Sequence, residues 1–136
     1  AGNTLGAHLD FIRKIQEHTQ IEECSEENCD VIVAFCPVSS RIGTDIDAAL
    51  LQVSDYKPAI LVVMHHTYDQ DAIVVDSARL VKKNNVKLSV DCLFFENRGL
   101  LENCSINERG FSQLGAFFSQ QMDQITKYKK WLKKHS

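Results

Sequence analysis

The sequence has few of the features that mark a membrane-spanning, disulfide-stapled or linker-rich protein. Only 2 of its 136 residues are proline and 6 are glycine, so no stretch has a linker's composition. No apolar run approaches the roughly 18 residues of a membrane-spanning helix. The 5 cysteines are an odd number without a C-x-x-C pair, which argues against a disulfide framework and a zinc ribbon. These absences favour one globular domain over residues 1–136 in a reducing, cytoplasmic setting.

Charge is unevenly distributed along the chain. The formal net charge is −3, yet residues 1–68 carry 4 basic and 10 acidic side chains, and residues 69–136 carry 11 basic and 8 acidic ones. A net acidic protein has no general attraction to a phosphate backbone. The basic segment KYKKWLKKHS at the end of the sequence is short and holds one tryptophan. We therefore expect neither nucleic acid nor a membrane as a partner.

Three continuous apolar segments predict strands that are covered on both faces. They are DVIVAFCP (30–37), KPAILVVMHH (57–66) and VKLSVDCLFF (86–95). A short edge strand is predicted around Ile21–Cys24. The segment ENRGLLENCSINERG (96–110) is typical of a loop.

Apolar residues at helical spacing predict helices before, between and after these strands. The predicted helices are LGAHLDFIRKIQEH (5–18), TDIDAALLQV (44–53), DQDAIVVDSARLVKKN (69–84) and a long final helix over about 111–134. The β-branched run at 73–75 weakens the helical propensity of the third. At 1.5 Å per residue the final helix would measure roughly 36 Å, so part of it would project from the domain.

Strands that alternate with helices predict parallel pairing through right-handed crossovers. The expected fold class is α/β, a three-layer sandwich with a flavodoxin-like or Rossmann-like parallel sheet. The opening AGNTLG resembles a strand-to-helix turn, so a first strand would be expected just ahead of Ala1. A sheet that lacks this strand would have an unpaired edge, which another copy of the chain could fill.

Ligands of open parallel sheets bind at the carboxyl ends of the strands. The turns AGNTLG, PVSSRIGTD and HHTYDQD should meet there and form a polar cleft. In the central turn, glycine permits a positive φ or close ligand approach, and threonine can cap the next helix and leave its N–H groups to an anion. The predicted ligand-binding residues are Asn3, Thr4, Ser39, Ser40, Arg41, Gly43, Thr44, His65 and His66. No metal and no cofactor are expected.

Asp47 admits two interpretations. Placed one turn into the helix, it could face the cleft as a nucleophile or general base. With Thr44 three residues earlier, it also approximates a capping box, in which it would serve its own helix alone. The histidine pair has similar alternatives, because His65 and His66 point to opposite faces of a strand and could be structural or could contact a ligand.

Residues 29–63, CDVIVAFCPVSSRIGTDIDAALLQVSDYKPAILVV, resemble the core of the nucleoside 2-deoxyribosyltransferase-like group. That group places a CD-x-V-x-A strand before a G-T-x-x-E helix start and a K-P-V-I strand. The resemblance implies that the acid of the second motif takes the sugar, and its match here is Asp47. TIR-like domains that cleave the glycosidic bond of NAD are similar in architecture and also use an acid early in a helix.

A second resemblance covers nearly the whole chain. The blocks FCP-V-SR-GTDI-AAL and ILVV-HHT are similar to those of small uncharacterised proteins of bony fish. This resemblance implies no activity. Those proteins begin with a strand ahead of the AG-x-TLG turn, in agreement with the first strand expected here.

Two functions remain open at this point. One is a cytoplasmic domain that binds a small nucleotide- or sugar-related anion at the strand ends, with N-glycosidic cleavage or transfer by Asp47 as its enzymatic form. The other is a non-catalytic interaction or signalling module that self-associates, for which the partner would be a second copy of the chain.

Overall fold

A computed structural model describes residues 6–18, 21–23, 29–39, 41–124 and 129–135. Nine helices and strands are present in these ranges, together with 3-10 turns at Ser77–Leu80 and Glu96–Arg98. In chain order the elements are α1 (Ala7–His18), β1 (Ile21–Glu23), β2 (Val31–Pro37), α2 (Ile42–Leu50), β3 (Ala59–His66), β4 (Val86–Phe95), β5 (Gly99–Leu100), α3 (Ser105–Gln124) and β6 (Lys129–His135).

The fold is mixed α/β around one mostly parallel sheet, as the sequence predicts. Its six strands lie in the order β1-β6-β2-β3-β4-β5. The β1–β6, β6–β2, β2–β3 and β3–β4 pairs are parallel, and β4–β5 is antiparallel. The predicted edge strand is confirmed as β1. The three long apolar segments are confirmed as β2, β3 and β4.

The two faces of the sheet bury separate apolar clusters. One cluster contains alternate residues of β2, β3 and β4 and is covered by α1 and α3. The other contains the intervening residues of β2 and β3 and is covered by α2. Every residue of β2 is buried, because helices cover both faces and strands pair with both sides. This explains why β2 is apolar at each position rather than at alternate ones.

The start of helix α3 contacts the edge of β4 that β3 does not pair with, and its later residues Leu114 and Phe118 pack on the same face as α1. The buried Asn107 side chain accepts a hydrogen bond from Leu93 N–H (2.6 Å) and donates to Leu93 O (3.0 Å) and Leu101 O (3.1 Å). One turn later, a Cβ at Gly110 would lie 3.2 Å from Asp91 O. Asn107 therefore replaces a strand partner at this point of β4, and Gly110 permits the close approach of the helix.

The helix predicted over residues 69–84 is wrong. Residues 67–76 form turns and irregular chain, and only the 3-10 turn Ser77–Leu80 follows. Val74 packs inward against the apolar group around Leu93, whereas its neighbours Ile73 and Val75 are 98% and 55% exposed. This alternation and the β-branched run suit extended chain better than a helix.

The boundaries of the last helix are also wrong. Helix α3 begins at Ser105, six residues before the predicted start, and ends at Gln124. Residues 129–134, predicted as helix, belong instead to β6. The loop predicted over 96–110 therefore contains a 3-10 turn, β5 and the first turn of α3. The sheet position beside β2, which the expected strand ahead of Ala1 could have taken, is occupied by β6.

We predict that Asn107→Ala lowers the free energy of unfolding by about 1–3 kcal/mol, because Leu93 N–H is left buried without its partner. Urea denaturation measures this change. Ser112→Ala, at an exposed position of the same helix, is the control and should change stability by less than about 0.5 kcal/mol. Equal effects of the two substitutions would contradict the role of Asn107 as a strand substitute.

Candidate functional site

The carboxyl ends of β2, β3 and β4 share one edge of the sheet, which is where ligands of open parallel sheets bind. Helix α2 begins five residues after β2 ends. The first turn of α1 lies near the same end, since the His8 ring is 5.7 Å from the ring of Phe35. Because α1 and α2 cover opposite faces, their amino termini lie at this end of the sheet on its two sides.

The turn after β2 is held in place by the protein's own groups. Val38 N–H donates to Met64 O across the β2–β3 pair (2.9 Å). Ser39 N–H donates to the Asp45 carboxylate (2.8 Å), and the Ser39 hydroxyl lies 3.4 Å from the other carboxylate oxygen. Asp45 thus occupies the place at the start of α2 where an external anion could otherwise bind.

The predicted capping box at Thr44 and Asp47 is wrong. Helix α2 begins at Ile42, so Thr44 is its third residue, and Arg41 is the N-cap without a side-chain cap bond. Gly43 lies in the first helical turn with no positive φ, and a Cβ there would meet nothing within 4 Å. Arg41 and Thr44 are exposed. Sequence pattern missed Asp45 because its bond to Ser39 spans six residues and depends on how the turn closes.

Asp47 lies apart from the histidine pair. It is exposed and lines an open groove of about 330 Å³ with Leu50, Leu51, Lys82 and Lys83. The two lysines precede β4 and therefore lie at the amino end of the parallel sheet, whereas the histidines close β3 at its carboxyl end. The structure does not bring Asp47 and the histidine pair into one cleft.

His65 belongs to a half-buried polar network. Its Nε2 lies 2.8 Å from Asp91 Oδ1, and the two side chains are 11% and 12% exposed. The other carboxylate oxygen accepts from Ser77 N–H and the Ser77 hydroxyl, both at 3.1 Å. The hydroxyls of Ser77 and Ser89 are 2.7 Å apart. Because the serine contacts the carboxylate and not the imidazole, this network fixes the 3-10 turn on β4 and does not activate a nucleophile.

A small cavity adjoins the network. Its volume is about 90 Å³, room for roughly three water molecules at ~30 Å³ each. It is lined by Asp76, Ser89, Asp91, Arg109 and Gln113, with apolar contributions from the loop and α3. Ligand pockets are commonly about 300–1,000 Å³. The cavity is therefore too small for a nucleotide.

His66, in contrast, is exposed at the carboxyl end of β3. Its ring stacks on Phe95 with centroids 5.0 Å apart and an interplanar angle of 21°. Tyr68 meets the edge of Phe95 at 6.0 Å and is 73% exposed. These three rings form an aromatic surface at the ends of β3 and β4, of a kind on which a planar ligand can stack.

A second groove lies at the amino terminus of α1, with a volume of about 310 Å³. It is lined by Gly6, Leu9, Asp10, Arg13, Glu96, Arg98 and Gly99. Asp10 pairs with Arg13 and accepts from Leu100 N–H at 3.4 Å. Gly6 and Gly99 have φ values of +85° and +69°, which other residues rarely adopt. The groove shows that the carboxyl end of the sheet carries arginine on the α1 side as well.

The predicted ligand-binding residues thus divide into four sets. Ser39, Arg41, Gly43 and Thr44 lie in the turn after β2 and the first residues of α2, and His66 lies at the end of β3. His65 turns into the polar network. Asn3, Thr4 and Ser40 lie outside the described residues.

Cys36 and Cys92 are poor nucleophiles. Burial, with a smaller contribution from Asp45, raises the pKa of the Cys36 thiol to about 12. Burial likewise raises the pKa of Cys92, assisted by Asp91 and Cys104. The thiolate is the reactive form, so neither residue is suited to covalent catalysis.

Within the described ranges, no three histidine, cysteine, aspartate or glutamate residues cluster in a way that could bind a metal ion. None of the helices in those ranges has the length and apolar character needed to cross a bilayer.

In comparisons with known proteins, no family model, curated protein or solved structure matches the chain.

We predict that iodoacetamide at pH 8 leaves Cys36 and Cys92 unlabelled in the native protein, as mapped by mass spectrometry. With a pKa near 12, only about 1 in 10,000 Cys36 side chains is thiolate at that pH. Labelling should become complete in urea, where burial is lost. Rapid native labelling of Cys36 would contradict its burial in β2.

Proposed function

We propose that the protein binds a small anionic ligand of the nucleotide or sugar-phosphate class at the carboxyl end of a flavodoxin-like sheet. The observation that supports this proposal is that the turn after β2, the aromatic surface at the ends of β3 and β4 and the amino termini of α1 and α2 all lie at the carboxyl end of one parallel sheet. Helix amino termini carry partial positive charge and favour anions.

The side chains at this end suit such a ligand. Arg41 is exposed at the start of α2, and Arg98 lines the groove at α1. The surface of His66, Tyr68 and Phe95 offers stacking for a base. Asp45 already fills one anion position at Ser39, so the ligand's phosphate belongs beside Arg41 rather than on the serine amide.

Binding is better supported than turnover. The N-glycosidic chemistry implied by the resemblance requires Asp47 next to the sugar, within about 3–3.5 Å of the carbon that it attacks. Asp47 instead lies with Lys82 and Lys83, toward the amino end of the sheet. We therefore propose a ligand-binding domain in a cytoplasmic setting, without catalysis by Asp47.

The proposal predicts that AMP and ribose 5-phosphate shift amide NMR signals of residues 38–44 and 66–68. Arg41→Ala should weaken binding about tenfold, because a charge-assisted hydrogen bond to phosphate contributes roughly 1.5–3 kcal/mol. Lys87→Ala, an exposed cation near the start of β4, is the matched control and should leave the affinity unchanged. Asp47→Ala should also leave it unchanged.

Absence of any shift at millimolar ligand would overturn binding at this site. Cleavage of a nucleoside or NAD by the native chain, abolished by Asp47→Ala in a folded variant, would overturn the exclusion of catalysis.

A second candidate function, self-association, is favoured by one observation. The loop between β3 and the 3-10 turn exposes Tyr68, Ile73 and Val75 within eight residues, with exposed fractions of 73%, 98% and 55%. Exposed apolar groups that cluster in this way are typical of protein contact surfaces.

If this surface mediates self-association, light scattering should show a dimer at tens of micromolar protein. Ile73→Lys should shift the equilibrium to monomer by about tenfold or more, the effect of placing an unpaired charge in an apolar contact. Leu51→Lys is the control, since Leu51 is 87% exposed and lies at the end of α2. A monomer at every protein concentration would contradict self-association through this surface.

A further inference from the structure

The connection between β3 and β4 is long and nearly without regular structure. It spans residues 67–85 and contains one short element, the 3-10 turn Ser77–Leu80. Crossovers between parallel strands usually hold a helix. Loops longer than about 12–15 residues are uncommon in compact domains and are often binding segments. The exposed groups of this loop therefore indicate what it could bind.

The middle of the loop has backbone groups without partners. Among the described residues, none forms a hydrogen bond with the backbone N–H or C=O groups of Ile73, Val74 and Val75. Val74 packs inward, whereas Ile73 and Val75 are exposed, which is the alternation of an extended chain. β-branched residues also favour extended chain. Residues 73–75 therefore resemble a short strand that has no pairing partner.

The loop is fixed to the domain on both sides of this segment. On one side, Thr67 N–H donates a hydrogen bond to Phe94 O at 2.9 Å. On the other, Ser77 is buried, and its N–H donates to the Asp91 carboxylate at 3.1 Å. Because the segment is held in this way, pairing with a second strand costs less conformational entropy than it would for a free loop.

The loop is acidic where it is exposed. Residues 67–78 contain three aspartates and no lysine, arginine or histidine. Asp69, Asp71 and Asp76 are exposed, and none of them forms an ion pair with another described residue. Asp71 and Asp76 flank the extended segment, roughly 17 Å apart along a strand at ~3.3 Å per residue. Their charge favours a partner with basic residues at matching positions. It disfavours a second copy of the same loop, because like charges would then face each other.

We propose that residues 71–76 bind an extended, basic segment of a partner protein by β-strand addition. The partner's apolar residues would lie opposite Ile73 and Val75, with a basic residue opposite each flanking aspartate. In such pairing, main-chain hydrogen bonds supply the affinity and alternate side chains supply the selectivity. The inference assigns a different occupant to the surface of the second candidate function, and it depends neither on that function nor on ligand binding.

The test is hydrogen exchange of the 136-residue chain with the capped peptide KVTITK. Lysine at both ends places a positive charge near each flanking aspartate in either strand direction. Amide exchange within residues 73–75 should be fast in the free chain and should slow by about tenfold or more at saturating peptide, because strand pairing protects the amides. Exchange in β2 should not change.

Two matched peptides separate charge from main-chain pairing. EVTITE keeps the central residues and should bind about tenfold more weakly at low salt, because both attractions become repulsions. KVTITK that is N-methylated at its four central residues keeps every side chain and charge but has no N–H groups there to donate. It should not protect residues 73–75.

A further arm changes the chain itself. Asp71→Asn with Asp76→Asn should weaken binding of KVTITK by about fivefold, since two exposed charge pairs are lost. Asparagine at position 76 keeps an oxygen that can accept from Ala78 N–H, as Asp76 does, so the 3-10 turn is retained. The control Glu17→Gln with Asp47→Asn removes two exposed acids elsewhere and should leave the affinity unchanged.

Three results would overturn the proposal. One is unchanged exchange of residues 73–75 at millimolar KVTITK. Another is equal protection by EVTITE or by the N-methylated peptide, which would show that neither charge nor main-chain pairing matters. The third is protection of residues 73–75 in the free protein that rises with protein concentration, because a second copy would then be the occupant.

Discussion

The pairing of β2 on both sides is the constraint on which the rest of the structure depends. Its backbone pairs with β3 and β6, and its side chains alternate between the two apolar clusters. Fully burying one Val, Ile or Phe side chain contributes about 1.5–3 kcal/mol, and every residue of β2 is buried. A strand held in this way can offer polar chemistry only where it ends. Val38, Ser39 and Arg41, which follow the strand, are consequently the part of this region that can meet a ligand.

The local charge at that turn is set by the hydrogen bond between Asp45 and Ser39, which closes the turn. The Asp45 carboxylate satisfies Ser39 N–H and lies close enough to raise the pKa of the buried Cys36 thiol further than burial alone does. An internal anion at the start of α2 also reduces the attraction of the helix for an external one. Arginine at this end of the sheet, at Arg41 and in the groove with Arg98, offsets this reduction.

Sequence predicted the buried strands well because their signal is local. Continuous apolar runs identify β2, β3 and β4, and the position of Ser39 and Arg41 at a carboxyl end follows from parallel pairing. Contacts that depend on register could not be predicted in the same way. The bond between His65 and Asp91 joins residues 26 positions apart and requires β3 and β4 to pair as they do.

The errors have physical causes that can be named. Residues 69–84 carry a weak helical pattern, but Val74 gains more from packing near Leu93 than a helix of β-branched residues would offer. For residues 129–135, lysines and a tryptophan suggested the end of a helix. These residues instead form β6 and pair with β2. Without β6, the backbone N–H and C=O groups on one side of β2 would have no hydrogen-bond partners in the sheet. In both segments, tertiary packing or strand pairing outweighs the local propensity for a helix.

The most direct test of this account is the pairing of β2 with its two neighbours, measured by NMR contacts between backbone protons. We expect contacts typical of parallel strands from Val33 to Ile60 on one side and from Val33 to Lys133 on the other. Contacts to β3 alone, or an antiparallel pattern with residues 129–135, would contradict the strand order and the double-sided pairing of β2 on which this account depends.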